Sequence, residues 1–172
     1  MSGPVGKPGR VLQLNRKSPT PGQRGLPKLP VADARLTAEG VEGDFNVYRH
    51  EVKQDDPRMA VLLMPFETIH QLGQEGWPVR PGDLGENITS VGVPYHEFAP
   101  GLRFRVGGAL LEITKACTPC ENLFALPYVG EKRGPAFLRA TLGRRGWYAR
   151  VVEPGVVRTG DPIARVTTGG GE

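Results

Sequence analysis

The sequence predicts a mainly β chain, closed or nearly closed into a β-barrel and carrying about three short helices. Three observations lead there. Of 172 residues, 24 are Gly and 17 are Pro, a content that suits many short strands joined by tight turns better than a helical bundle. Short apolar or alternating stretches recur between those turn signals. Strands and helices do not alternate regularly, which argues against a doubly wound sheet. With 38% hydrophobic residues the chain can bury one core, and a single domain over residues 1–172 is expected, its core at about 11–166.

The elements follow in order. "VGKPGRVLQLN" is a loose start running into a short strand, Val11 to Asn15, and "RKSPTPGQRGLPKLP", which holds Lys28, is too rich in Pro and Gly for regular structure. A strand over Val31 to Leu36 leads to a glycine-punctuated turn, Gly40 to Asp44. "MAVLLMP", Met59 to Pro65, is a continuous apolar run and reads as a buried strand. Pro65 then opens a short helix, with Phe66, Ile69, His70 and Leu72 at helical spacing until Gly73 and Gly76. Strands resume over Asn87 to Val91, Leu102 to Val106 and Leu110 to Thr114, the last two joined by a Gly107-Gly108 hairpin turn. A second helix is expected from Thr118. A third is expected from Pro135, where "PAFLRATL" sets Phe137, Leu138 and Leu142 on one side. The tail returns to β with turns at Pro154-Gly155 and Gly160-Asp161-Pro162, and fraying is expected from Gly169 to Glu172.

A net charge of +4 favours an anionic ligand, but the basic residues are scattered and no aromatic-basic stripe points to nucleic acid. "MSGPVGKPGR" has no apolar signal-peptide core and no run is long enough to span a membrane, so a soluble cytoplasmic protein is expected. Two cysteines three apart cannot build a disulfide framework.

Both cysteines lie in "TKACTPCENL". Thr118 as N-cap, Pro119 at the first helical position and Glu121 at the third would form a capping box with Cys120 in the first turn, where the helix dipole favours thiolate. A structural zinc site would need further ligands from His50, His70 or His96, which form no ligand pair. A thioredoxin-like dithiol is a rival, although the motif follows a hairpin rather than a βαβ unit. Two small buried apolar side chains are the bland alternative. In "RPGDLGENI" two glycines three apart let the backbone approach a ligand, and Asp44 of "GVEGD" could accept hydrogen bonds; taken alone, each reads more simply as a surface turn.

Taken in order, "GLPKLPV", "GVEGD", "RMAVLL", "PGDLGENI", "VGGALLEITKACTPCENL" and "GRRGWYARVVEPGVVRTGD" resemble the MOSC domain, found at the C-terminus of molybdenum-cofactor sulfurases and in stand-alone proteins. The resemblance runs from about Val11 to Val166. It implies a barrel-like fold and a hallmark cysteine at Cys120. That cysteine would either ligate molybdenum in a reductase of N-hydroxylated compounds or carry sulfur as a persulfide. Cys117 stands where many relatives have arginine; it would resolve an oxidised or persulfidated Cys120. "HEVKQDDPRMAV" departs from a histidine-glycine-glycine stretch of relatives, which puts a role for His50 in doubt.

For the molybdenum cofactor (molybdopterin) the resemblance and the chemistry together nominate Lys28, Arg58 and Arg150 for the anionic parts, Asn87 and Asp44 for hydrogen bonds to the pterin, and Cys120 for the metal. Such a reductase would draw electrons from a separate redox partner protein, since no flavin, haem or iron-sulfur motif occurs; a carrier would be loaded by a cysteine desulfurase. A third reading is a non-catalytic binding module for an anionic pterin-type ligand.

Overall fold

A computed structural model describes residues 4–17, 20 and 26–167. Residues 18, 19 and 21–25 of the Pro- and Gly-rich loop and the expected frayed tail lie outside the described residues. Among the described residues there are eleven strands: β1 Pro4–Arg16, β2 Leu29–Val31, β3 Asp33–Thr37, β4 Gly40–Val41, β5 Val61–Pro65, β6 Ile88–Val91, β7 Arg103–Val106, β8 Ala109–Ala116, β9 Trp147–Glu153, β10 Gly155–Arg158 and β11 Pro162–Val166. Three α-helices accompany them, α1 Val47–Glu51, α2 Phe66–Gln74 and α3 Gly130–Thr141, with short 3-10 helices at Pro57–Met59, Tyr95–Glu97 and Glu121–Ala125.

The strand order β11-β7-β8-β9-β5-β6-β1 is closed by pairing of β1 with β11, a seven-stranded barrel, while β2 hangs from the far end of β1. Length lets β1 do this: residues 4–10 pair with β11, 10–14 with β6 and 14–16 with β2. The loose start expected before Val11 is therefore strand. Its register shifts after Val5 and Val11 mark bulges that bend it around the closing seam. Every barrel pairing is antiparallel except β5 with β6, where the crossover runs through α2. A small sheet, β10-β3-β4, packs beside the barrel.

Residues Met59 to Pro65 read as one apolar run because both faces of β5 are buried. Val61 and Leu63 join the barrel core with Val11, Ile88, Phe104, Leu111, Val151 and Ile163. Met64 enters a second core under the helices, with Ile69, Leu72, Leu123 and Phe137. Leu62 faces a third cluster with Met59, Cys117 and Tyr148, which becomes the floor of the site.

Two expectations about helices are corrected. The helix after the cysteines does not start at Thr118: Cys120 is itself the N-cap, in extended conformation (φ −142°, ψ 172°) and making no capping hydrogen bond, of a five-residue 3-10 helix. No capping box forms, so the dipole argument for Cys120 loses its geometry. The third helix begins at Gly130, leaving Pro135 inside it and Leu142 69% exposed beyond its end. Gly134 permits this packing, because a Cβ there would strike the Phe124 ring. Among the described residues no helix is long and apolar enough to cross a membrane.

Candidate functional site

Strand β8 ends at Ala116, and the chain then passes through Cys117 to Cys120 along the rim of a cavity of about 340 Å³. The opposite walls come from Tyr48 and Lys53 at α1, Met59 and Leu62 at β5, Lys28, and Arg145 and Tyr148 at the start of β9. Both cysteines line it. Cys120 is half-buried, whereas Cys117 is buried, its thiol 3.8 Å from the Thr118 carbonyl and its backbone N–H donating to Gly146 O (2.8 Å). Burial holds the Tyr148 phenol well above its ordinary range, and the adjacent Cys117 thiol pushes in the same direction.

The electrostatics of this cavity are one-sided. Lys28, Lys53, Lys115 and Arg145 line it and, among the described residues, no Asp or Glu does. The two lysines at the mouth rest on tyrosine rings: Lys53 Nζ is 5.8 Å from the Tyr48 centroid and Lys115 Nζ 5.9 Å from that of Tyr148. A cavity lined by cations is where an anionic ligand is electrostatically favoured.

Lys28 is held by a buried polar network. Its Nζ lies 2.5 Å from Asp44 Oδ2, and burial pulls the ammonium pKa below 10.5 while Asp44 pulls it back. Asp44 also accepts from Lys17 N (2.8 Å) and Asn87 Nδ2 (2.8 Å), and Asn87 Oδ1 accepts from Leu62 N (3.0 Å). Lys28 N donates to Gly82 O (2.9 Å); Gly82 has φ +91°, and a Cβ on it would run into the Lys28 carbonyl, so this turn needs glycine. The turn "PGDLGENI" and the Asp44 turn therefore meet at Lys28. Glu86, from the same turn, is fully buried: Thr89 Oγ1 donates to its Oε2 (2.9 Å), and Oε1 has no hydrogen-bond partner. Burial pushes this carboxyl up to about 7, against the backbone amides of Gly82 and Glu86 and the Thr89 hydroxyl.

A second cavity of about 570 Å³ adjoins the first, sharing Lys28, Asn46, Met59 and Leu62 with it. Asp44, Asn87 and His50 line this one. His50 is exposed, with Nδ1 3.2 Å from Asp55 Oδ2.

The structure thus brings Cys117, Cys120 and Lys28 to one cavity and places Asp44 and Asn87 behind Lys28, facing the other. It separates Arg58 and Arg150 from both. Arg58 has a 70% exposed side chain that folds onto Asp56, Nη2 to Oδ2 3.0 Å. Arg150 alternates outward on β9, where its Nε donates to Glu112 Oε2 (2.8 Å). Sequence reasoning missed Lys53, Lys115 and Arg145. Lys115 could have been found, since it stands two residues before Cys117. Nothing local distinguishes Arg145 from Arg144, which leaves the cavity to bind Glu75 at 2.6 and 2.5 Å.

Among the described residues no three His, Cys, Asp or Glu side chains form a group that could hold a metal ion.

A family model described as the MOSC domain matches residues 49–164. The uncharacterized protein YflK of Bacillus subtilis (strain 168) is 29% identical over 169 residues, 96% of this chain and 72% of that one. The crystal structure of the YuaD protein from Bacillus subtilis aligns with TM-score 0.78 at 21% identity, covering 97% of this chain and 99% of the other. That of YiiM from Geobacillus stearothermophilus aligns with TM-score 0.70 at 25% identity, covering 95% and 77%.

Proposed function

The chain belongs to the MOSC domain family, and on that premise we propose that it binds the molybdenum cofactor through Cys120 and reduces N-hydroxylated compounds with electrons from a separate redox protein. The observation that carries this reading is that half-buried Cys120 lines a cavity with four cations and, among the described residues, no carboxylate. Soft sulfur suits molybdenum, and the phosphate of a pterin cofactor needs buried cations. When bound, the cofactor would supply the redox centre that delivers two electrons to an N–O bond.

The chain's own residues provide the rest. Cys120 offers one sulfur ligand. Lys28, fixed by Asp44, neutralises negative charge on the inner side, and Lys53 and Lys115 do so at the mouth. Tyr48 and Tyr148 give the walls flat apolar faces suited to a planar ring. Asn87 acts by holding Asp44 and Leu62 rather than through a free polar end. The adjoining cavity, reached past Lys28 and Asn46, would admit the substrate.

Expression in a cofactor-producing host tests this reading. Stoichiometric molybdenum by elemental analysis is expected in the wild type and its loss in Cys120→Ser. Metal-free wild-type protein would overturn it.

One observation favours sulfur carriage as a second reading: both thiols line the same cavity. A persulfide on Cys120 attacked by the Cys117 thiolate would give a disulfide and release hydrosulfide. Metal-free protein with cyanide-labile sulfur would support this carrier, loaded by a cysteine desulfurase.

A further inference from the structure

The chain between β4 and β5 is fixed at two points and loosely held between them. At its start Asp44 is pinned by Lys17 N, Lys28 Nζ and Asn87 Nδ2. At its end Met59 is buried, and Thr114 Oγ1 donates to the Arg58 carbonyl (2.5 Å). From Phe45 to Pro57 the polar contacts among the described residues close on the segment and its end posts. Asn46 Oδ1 accepts from Arg49 N (2.9 Å), His50 meets Asp55, and Arg49 donates from Nε to the Asp56 carbonyl (3.0 Å) and from Nη2 to that of Asp55 (3.1 Å). The backbone N–H groups of His50, Val52, Lys53, Asp55 and Asp56 donate to carbonyls of Asn46, Tyr48, Arg49 and Lys53. A helix as short as α1 does not hold in water without packing, and Val52 on it is 60% exposed. Its packing comes from Tyr48, whose ring joins Met59, Leu62, Cys117 and Tyr148, and from Arg49, whose guanidinium lies against Gly40 of β4. The turn that returns the chain sets Gln54 (φ +51°) and Asp55 (φ +57°) in succession in the left-handed region, a strain that the Arg49 hydrogen bonds offset.

The same segment walls both cavities. Tyr48 and Lys53 line the one that holds the cysteines, Arg49, His50 and Asp55 line the other, and Asn46 lines both. We propose that residues 45–57 are a lid over the two cavities, moving between the fixed posts at Asp44 and Arg58, with Arg49 as its internal clasp and Tyr48 as the face it lays on the cavity floor. Opening lifts Tyr48 from Cys117, which is buried when the lid is shut. A segment whose polar contacts are its own can leave the barrel without breaking the barrel's hydrogen bonds, so it opens at low cost and as one unit. Opening admits a ligand larger than the closed mouth, and closing shuts water out over it. The lid stands on these contacts alone and does not require molybdenum.

The test uses metal-free full-length protein, with amide hydrogen exchange followed by NMR and iodoacetamide alkylation of Cys117 followed by mass spectrometry. The amides of His50, Val52, Lys53, Asp55 and Asp56 are expected to exchange as one group, roughly a hundredfold or more faster than those of β5 and β8. Arg49→Met removes the clasp and should speed both that exchange and Cys117 alkylation by roughly tenfold, leaving β5 and β8 unchanged. Gln54→Gly relieves the left-handed turn and should slow both by about threefold. Arg105→Gln, on the outer wall beside Glu153, should behave as the wild type does. Exchange of the group as slow as that of β5 overturns the lid. So does an equal acceleration of β5 in Arg49→Met, which would mark global unfolding, or Cys117 alkylation that stays constant while exchange at α1 rises. Because no metal enters, a lid that opens in a protein expressed without molybdenum would sink the cofactor reading and leave this inference standing.

Discussion

The outer wall of the barrel and the cavity beside it use the same residue types to opposite ends. On the wall, Glu112 of β8 sits between Arg103 of β7 (2.9 Å) and Arg150 of β9 (2.8 Å), and Arg105 reaches Glu153 (2.9 Å). These are cross-strand pairs in water, each cation facing a carboxylate. Lys53, Lys115 and Arg145 line the cavity without any such partner, and Lys28 has its partner behind it. On the wall the charge of each of these cations is answered at the barrel surface, whereas three of the four cavity cations carry no such pair among the described residues. The difference teaches that pairing, rather than the mere presence of Lys or Arg, separates the structural cations of the wall from those we propose to face a ligand.

Breaking the Lys28–Asp44 ion pair should have the largest effect. Asp44→Ala strands the Lys28 ammonium and frees the Lys17 and Asn87 donors, and should cost about 3–5 kcal/mol of stability in urea unfolding. A loss below about 1 kcal/mol would place Asp44 with the wall pairs.

Glu86 comes next. Its folded pKa, about 7, lies above the ordinary 4.5, so the folded state holds the proton more tightly than the unfolded chain. The associated stability is fully present below pH 4.5 and is lost as pH rises through about 7. For this fully buried group the loss amounts to about 3 kcal/mol. Glu86→Gln should flatten the stability profile across that window; an unchanged slope would show that another group carries it.

The smallest effect is expected on the wall. Arg150→Ala should cost no more than about 1 kcal/mol, since its partner Glu112 keeps Arg103 and water. It should also leave the ligand content of the protein unchanged. A loss of bound ligand in this variant would return Arg150 to the site and break the comparison.

The barrel was legible because its signals are local. The apolar run Val61–Pro65, the Gly107-Gly108 turn and the alternation through β7 to β9 are each set by residues adjacent in sequence. Helix starts near Cys120 and Pro135 were misread because Thr-Pro and Pro signals fit a first turn. Packing instead put Cys120 in extended chain and let α3 begin five residues earlier, against Phe124. The thiols and Lys28 were legible from motif. Whether an arginine points inward was not, since Arg58, Arg144, Arg145 and Arg150 carry the same side chain. Their difference lies in Asp56, Glu75 and Glu112, two of them distant in sequence, and in the lack of a hydrogen-bond partner on Arg145 Nε and Nη1 among the described residues.

The central claim is that the ligand occupies the cavity onto which Cys120 opens. Alkylation of the two cysteines by iodoacetamide, followed residue by residue by mass spectrometry, tests it in ligand-free protein and in protein isolated from a cofactor-producing host. The account predicts modification at half-buried Cys120 ahead of buried Cys117 in the ligand-free protein, and protection of Cys120 in the loaded one. Equal alkylation of Cys120 in both preparations, with ligand demonstrably bound, would contradict it.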